Sequence, residues 1–247
     1  MSEQAFTNYR RDEPSCANVA LTPAKLLAIS RGFLCLFWGL PVGLMLFTGA
    51  ISLAVFRQFR LPAYVIGVLI AYCGVLHLRR TGSLTPLWNR RLRMAILLAL
   101  LQVYLAPFLH WWERAPTQSY FTANVIVLLF ATAWAFFVIN MLAAELARVL
   151  RDNTFRIESQ LSAWISFFLM LLPLFEVLAV SAALQASAGG SSLVEFIPAL
   201  FLLPRWASAF IVVPFTLTMA VAWKAKEQAL HRLAAGGGPA RTEGSPR

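Results

Sequence analysis

Between positions 161 and 184 the chain reads LSAWISFFLMLLPLFEVLAVSAAL. A helix rises ~1.5 Å per residue, so this apolar stretch is longer than the ~30 Å hydrocarbon core of a bilayer. Comparable runs recur at 32–56, 61–78, 92–112, 121–144 and 206–223. Lipid offers backbone amides no partner, whereas a helix satisfies its own. A chain patterned in this way is expected to be an all-α polytopic membrane protein with six transmembrane helices. Charged residues make up only 13% of the 247 positions and lie almost wholly between the runs, as that architecture requires.

Orientation follows from the basic residues. Taken segment by segment, alternate connections hold 17 and 4 of the 21 lysines and arginines. The positive-inside rule therefore places both termini in the cytoplasm. The pattern suits a bacterial inner membrane. Trp88, Trp164 and Trp223 fall at inner ends of the runs, and Trp111, Trp112 and Trp206 at outer ends, as an aromatic belt would have them.

The connections carry their own signals. Residues 1–21 and 234–247 are polar and aperiodic and read as cytoplasmic tails. Thr22-Pro23 and Thr85-Pro86 are helix starts, with Thr at the cap and Pro in the first turn. A short interfacial turn at 24–31 is expected before the first span. Gly39, Pro41 and Gly43 predict a kink and a close helix contact, and Ala63, Gly67 and Ala71, four apart, form a smooth packing face. The fourth run keeps helical patterning to about position 150, so its last two turns should project beyond the lipid. There Glu145 can reach Arg148, and Arg148 can reach Asp152, at spacings of three and four. Ser192 and Glu195 form a capping box before the apolar stretch 193–203. At ~16 Å of helix this stretch is too short to span and reads as a re-entrant or packed half-helix. Six spans, cytoplasmic termini and a short apolar element before the last span resemble, in architecture, the permease subunits of ABC-type exporters.

Candidate chemistry is sparse. Glu176, three residues after Pro173, is a carboxylate inside a spanning run, and such groups are functional hypotheses by default. At comparable depth the sequence places Gln102 and Tyr104 of the third run and Thr216 of the sixth, a candidate substrate or proton site. Gln102, Asn124 and Asn140 also serve as interhelical amides under a purely structural reading. At the inner face Arg79, Arg80, Arg90, Arg91 and Arg93 confront Arg148 and Arg151. Membrane topology alone accounts for such a cluster; contact with anionic lipid or an acidic partner is the functional alternative. Arginine outnumbers lysine 18 to 3, which suits bidentate phosphate or carboxylate contact.

Several classes are excluded on sequence grounds. The net charge of +10 lies at segment ends, where topology explains it, so nucleic acid is not an expected partner. Cys16, Cys35 and Cys73 have no ligand or disulfide spacing. His77, His110 and His231 fall at different depths and cannot share a metal or a haem. The only aspartates are Asp12 and Asp152, and no nucleotide-binding, nucleophile-elbow or zinc-protease motif occurs. Neither an enzyme nor a cofactor is expected. Two functions remain: a small transporter or permease-type subunit with Glu176 in its polar site, or a non-catalytic membrane subunit or scaffold. The expected partners are the bilayer, a soluble or membrane subunit at the inner face, and a second copy of the chain.

Overall fold

The computed structural model describes residues 21–47, 60–115, 118–188 and 209–236. Six helices run through them: α1 (Pro23–Phe47), α2 (Arg60–Arg79), α3 (Pro86–Arg114), α4 (Ser119–Leu150), α5 (Asn153–Ala188) and α6 (Ala209–Gly236). No strand occurs among the described residues. Three segments there are long and apolar enough to cross a bilayer, Pro23–Leu44, Pro86–Leu109 and Ser119–Leu150, and Val65–Arg79 is a shorter apolar helix. Large apolar side chains such as Leu97, Phe130 and Phe168 stand exposed on the outside of the bundle, a surface that suits lipid. The architecture is that of a helical membrane protein. Most of both tails, positions 48–59 at the end of the first run, and the half-helix expected at 193–203 lie outside the described residues.

Both Thr-Pro starts are helix starts. Thr85 Oγ1 accepts the Trp88 amide at 3.0 Å, and Thr22 Oγ1 accepts that of Lys25 at 3.4 Å. The interfacial turn expected at 24–31 is absent, because α1 is unbroken from Pro23 onward. Good helix formers also carry α6 well past the apolar run: WKAKEQALHRLAAG extends it to Gly236.

Each helix packs on the next, and α6 closes onto α1, so the bundle is a ring; α4 and α6 also meet across its interior. We call the end where α1, α3 and α5 begin the charged end. The main core lies there, formed by Leu26, Phe33, Leu78, Trp88, Leu146, Phe155 and their neighbours. The last two turns of α4 are packed among the other helices, with Leu146, Ala147 and Leu150 buried in that core.

The α1–α2 contact is made by backbone. A Cβ on Gly67 would stand 2.5 Å from Gly43 Cα, one on Gly39 2.8 Å from the Ala71 amide nitrogen, and one on Gly74 2.8 Å from the Gly32 carbonyl oxygen. The small-residue faces read from the two runs are thus the faces in contact. With lipid as apolar as any side chain, close van der Waals packing of this kind is what holds helices together.

Candidate functional site

Glu145 lies within the last two turns of α4 and is 6% exposed. A carboxylate so deeply placed needs counter-charge. Arg91 Nη1 of α3 donates to its Oε1 at 2.6 Å, and Arg148 Nη2 approaches its Oε2 at 3.0 Å. The same Arg91 Nη1 lies 3.0 Å from the Met141 carbonyl oxygen, and the capping Thr85 hydroxyl is 3.5 Å from Glu145 Oε2. This cluster ties the start of α3 to α4. It removes Arg91 and Arg148 from the surface arginines, while Arg79, Arg80, Arg90, Arg93 and Arg151 remain exposed, with no ion pair among the described residues.

The Arg148–Asp152 pair expected from spacing does not form. Asp152 caps α5 instead, its Oδ1 accepting the Phe155 amide at 2.9 Å and its Oδ2 accepting from the Gln228 amide of α6. The Phe155 amide is the main cause that holds the Asp152 carboxyl below its ordinary range; burial opposes it, and Gln228, Lys224 and the Thr154 amide assist. Arg232 Nη2 donates to the Leu150 carbonyl at 2.7 Å, and Lys224 pairs with Glu158. Leu150, Asp152, Gln228, His231, Arg232 and Ala235 line an open pocket of about 460 Å³ at this corner.

Deeper in the bundle, α4 and α6 meet at Asn140 and Thr218, both fully buried. The Asn140 Nδ2 donates to the Phe136 carbonyl at 3.0 Å and to Thr218 Oγ1 at 2.9 Å. A carbonyl can only accept, which fixes the amide's orientation and leaves Oδ1 without a partner among the described residues. The Phe136 and Phe215 rings, with centroids 4.6 Å apart, pack edge-on beside this step. On α5, which packs chiefly against α4 and α6, Ser159 and Ser166 are also fully buried, and their hydroxyls have no partner among the described residues.

The residues expected to form one site are dispersed among other contacts. Gln102 of α3 reaches Thr132 of α4 at 3.5 Å. Tyr104 is 65% exposed and packs its ring against Phe108 of its own helix. Thr216 is exposed and donates back to the Val213 carbonyl at 2.9 Å. Asn124 likewise donates to a carbonyl of its own helix, that of Tyr120. Glu176 lies on α5, but its side chain is outside the described residues. The interior threonine of α6 is Thr218, two positions from the expected one. It begins a row of buried small residues with Ala222, Ala225 and Ala229, and that four-three-four spacing was the signal available in the sequence. Among the described residues no three His, Cys, Asp or Glu side chains gather as metal ligands.

Comparison of the chain with protein-family models, with curated proteins and with solved structures finds no match in any of the three.

Proposed function

We propose that this chain is a small transporter or permease-type subunit whose path joins a polar step at Asn140 and Thr218 to Glu176, a proton-responsive carboxylate ~20 Å further along the bundle on α5. The observation that carries this reading is the fully buried Asn140, which spends both amide hydrogens on Phe136 and Thr218 and keeps an unpaired carbonyl oxygen inside the bundle. An amide placed only to join two helices would meet its need with one bond; a spare acceptor facing an interior is what a passing ligand or proton carrier uses. Pro214 of α6, one turn from Thr218, and Pro41 and Pro107 of α1 and α3 each remove a helical hydrogen bond, as broken helices of transporters do. Both termini in the cytoplasm of a bacterial inner membrane and six spans complete the proposed arrangement.

The test is dissipation of an imposed pH gradient in proteoliposomes containing a trapped pH dye. The intact chain is expected to collapse the gradient faster than empty liposomes, and Asn140→Leu and Glu176→Gln each to slow it. A rate equal to that of empty liposomes would remove the reading.

The second reading, a scaffold without transport, is favoured by a different observation: Arg79, Arg80, Arg90, Arg93 and Arg151 stand exposed, without acidic partners among the described residues. Such a surface suits a soluble acidic subunit at the proposed inner face. Replacing Arg90 and Arg93 with Gln should then abolish co-purification of that subunit while Arg91, held by Glu145, keeps the fold intact.

A further inference from the structure

Six buried side-chain polar atoms have no partner among the described residues, and four of them fall on one seam. These are Ser166 Oγ and Ser159 Oγ of α5, Asn140 Oδ1 of α4 and Gln228 Oε1 of α6. Of the other two, Trp88 Nε1 is on α3, and Arg148 Nε on α4 belongs to the side chain that pairs with Glu145 beside Arg91 of α3.

Their order along the bundle can be read from ring contacts. Phe137 packs against Trp164 at 4.9 Å and Phe167 at 5.7 Å, so position 137 of α4 is level with 164–167 of α5. Asn140 lies almost one turn nearer the charged end, between the levels of Ser166 and Ser159. Gln228 is ten residues beyond Thr218 on α6, ~15 Å further toward that end, where it borders the pocket. The sequence of unpaired groups therefore runs Ser166, Asn140, Ser159, Gln228, and then the open cleft of Asp152, His231 and Arg232.

The hydroxyls are turned inward. A buried Ser or Thr in a helix ordinarily donates to a carbonyl of its own preceding turn. Buried Thr122 does so with Gln118 at 3.4 Å, and half-buried Thr132 with Leu128 at 2.8 Å. Ser159 and Ser166 do not, although neither has any exposed surface. Buried alanines of the same three helices, Ala143, Ala144, Ala147, Ala163, Ala222 and Ala225, carry methyl groups that cannot supply a hydrogen bond. Polar interiors of this kind are satisfied by water, whereas apolar ones stay dry.

We infer that the α4–α5–α6 seam is a water-filled half-channel that opens at the Asp152–Gln228–His231–Arg232 pocket and ends near Ser166. From position 152 to 166 it covers ~21 Å, of which the last ~8 Å lies inside the apolar run that begins at position 161. The inference rests on the proposed transport function, since the channel serves the Asn140 site from one side.

The test uses the full chain in sealed vesicles, with Cys16, Cys35 and Cys73 replaced by Ala and one new thiol introduced at a time. A permanently charged methanethiosulfonate is added to each side in turn. Ala235→Cys, at the pocket mouth, identifies the side on which the channel opens. Ser166→Cys is expected to react from that side and not from the other. Adding Asn140→Leu should slow the Ser166→Cys reaction at least ~10-fold, because only a hydrated thiolate is nucleophilic, while Ala235→Cys is unaffected. Should Asn140→Leu fail to insert, labelling of Ser166→Cys alone decides. A Ser166→Cys thiol inert from both sides, with Ala235→Cys reactive, overturns the channel. Inertness with gradient collapse intact removes the channel and leaves the Asn140 site standing. Labelling without gradient collapse retains the channel and removes transport.

Discussion

Two seams of this bundle are built from small residues, and they do opposite things. Between α1 and α2, glycines at 32, 39, 43, 67 and 74 bring backbone against backbone, and the side-chain atoms met there are carbons of Cys35, Leu36 and Leu78. Among α4, α5 and α6, alanines, serines, Asn140 and Thr218 also draw the helices close, but leave oxygen atoms inside without partners among the described residues. Removing side chains entirely seals an interface. Replacing them with short polar ones holds the helices together and keeps the interior chemically open. One side of the ring is therefore a strut and the other a candidate path.

The largest loss of stability is expected at the charged end, where Glu145 fastens α3 to the α4 side of the polar seam. Glu145→Gln leaves Arg91 and Arg148 without counter-charge. Loss of one partner of a buried pair costs ~3–5 kcal/mol, and the low end is expected because both arginines keep some water contact. Detergent unfolding of the variant should show this loss, and Glu145→Asp should recover part of it.

The glycine seam comes next. Gly67→Ala drives a methyl into the Gly43 backbone and should cost ~1–3 kcal/mol in the same measurement. Gly43→Ala is the sharpening control. Its Cβ would meet nothing within 4 Å, so it should be neutral or stabilising by up to ~1 kcal/mol through reduced chain entropy. Equal losses at the two positions would contradict a register that seats Gly67 on the Gly43 backbone.

Asp152 offers a smaller effect with a pH signature. Its carboxyl is held below its ordinary range, so the stability it contributes is present above the unfolded-state value and is lost as pH falls through the lower folded value. Asp152→Asn retains a cap and should change neutral-pH stability by less than ~1 kcal/mol. It should flatten the acid limb of the unfolding profile, which a pH series of melting temperatures would detect. The smallest expected change in stability is at the polar step itself. Interhelical polar bonds average ~0.6 kcal/mol in membrane bundles, so Thr218→Val should barely alter unfolding.

The glycine seam was largely legible in the sequence, because Gly39, Gly43, Gly67 and Ala71 fall four apart within apolar runs and only packing explains that spacing. Its register was not, since pairing Gly32 with Gly74 depends on which helices become neighbours. The same limit applies to the charged end. Spacing finds Glu145 with Arg148, but Arg91 comes from 54 positions away, and Asp152 prefers the α5 cap to Arg148. Thr216 and Thr218 share a helix, and only the row of alanines following Thr218 distinguishes the inward one. The extent of α6 was hidden because hydropathy falls at Lys224 while helix propensity does not. Glu176 stands out by charge alone, which says nothing about what its side chain meets.

The contrast between a dry seam and a hydrated one can be measured within one molecule. Cys35 sits beside Gly74 at the α1–α2 contact and provides a native thiol on the glycine side. With Cys16 and Cys73 replaced and Ser166→Cys added, a charged thiol reagent should modify position 166 and leave Cys35 untouched in the folded protein, both reacting after denaturation. Equal protection of the two thiols would mean that both seams are dry and that the unpaired oxygens of α4, α5 and α6 have no route to water.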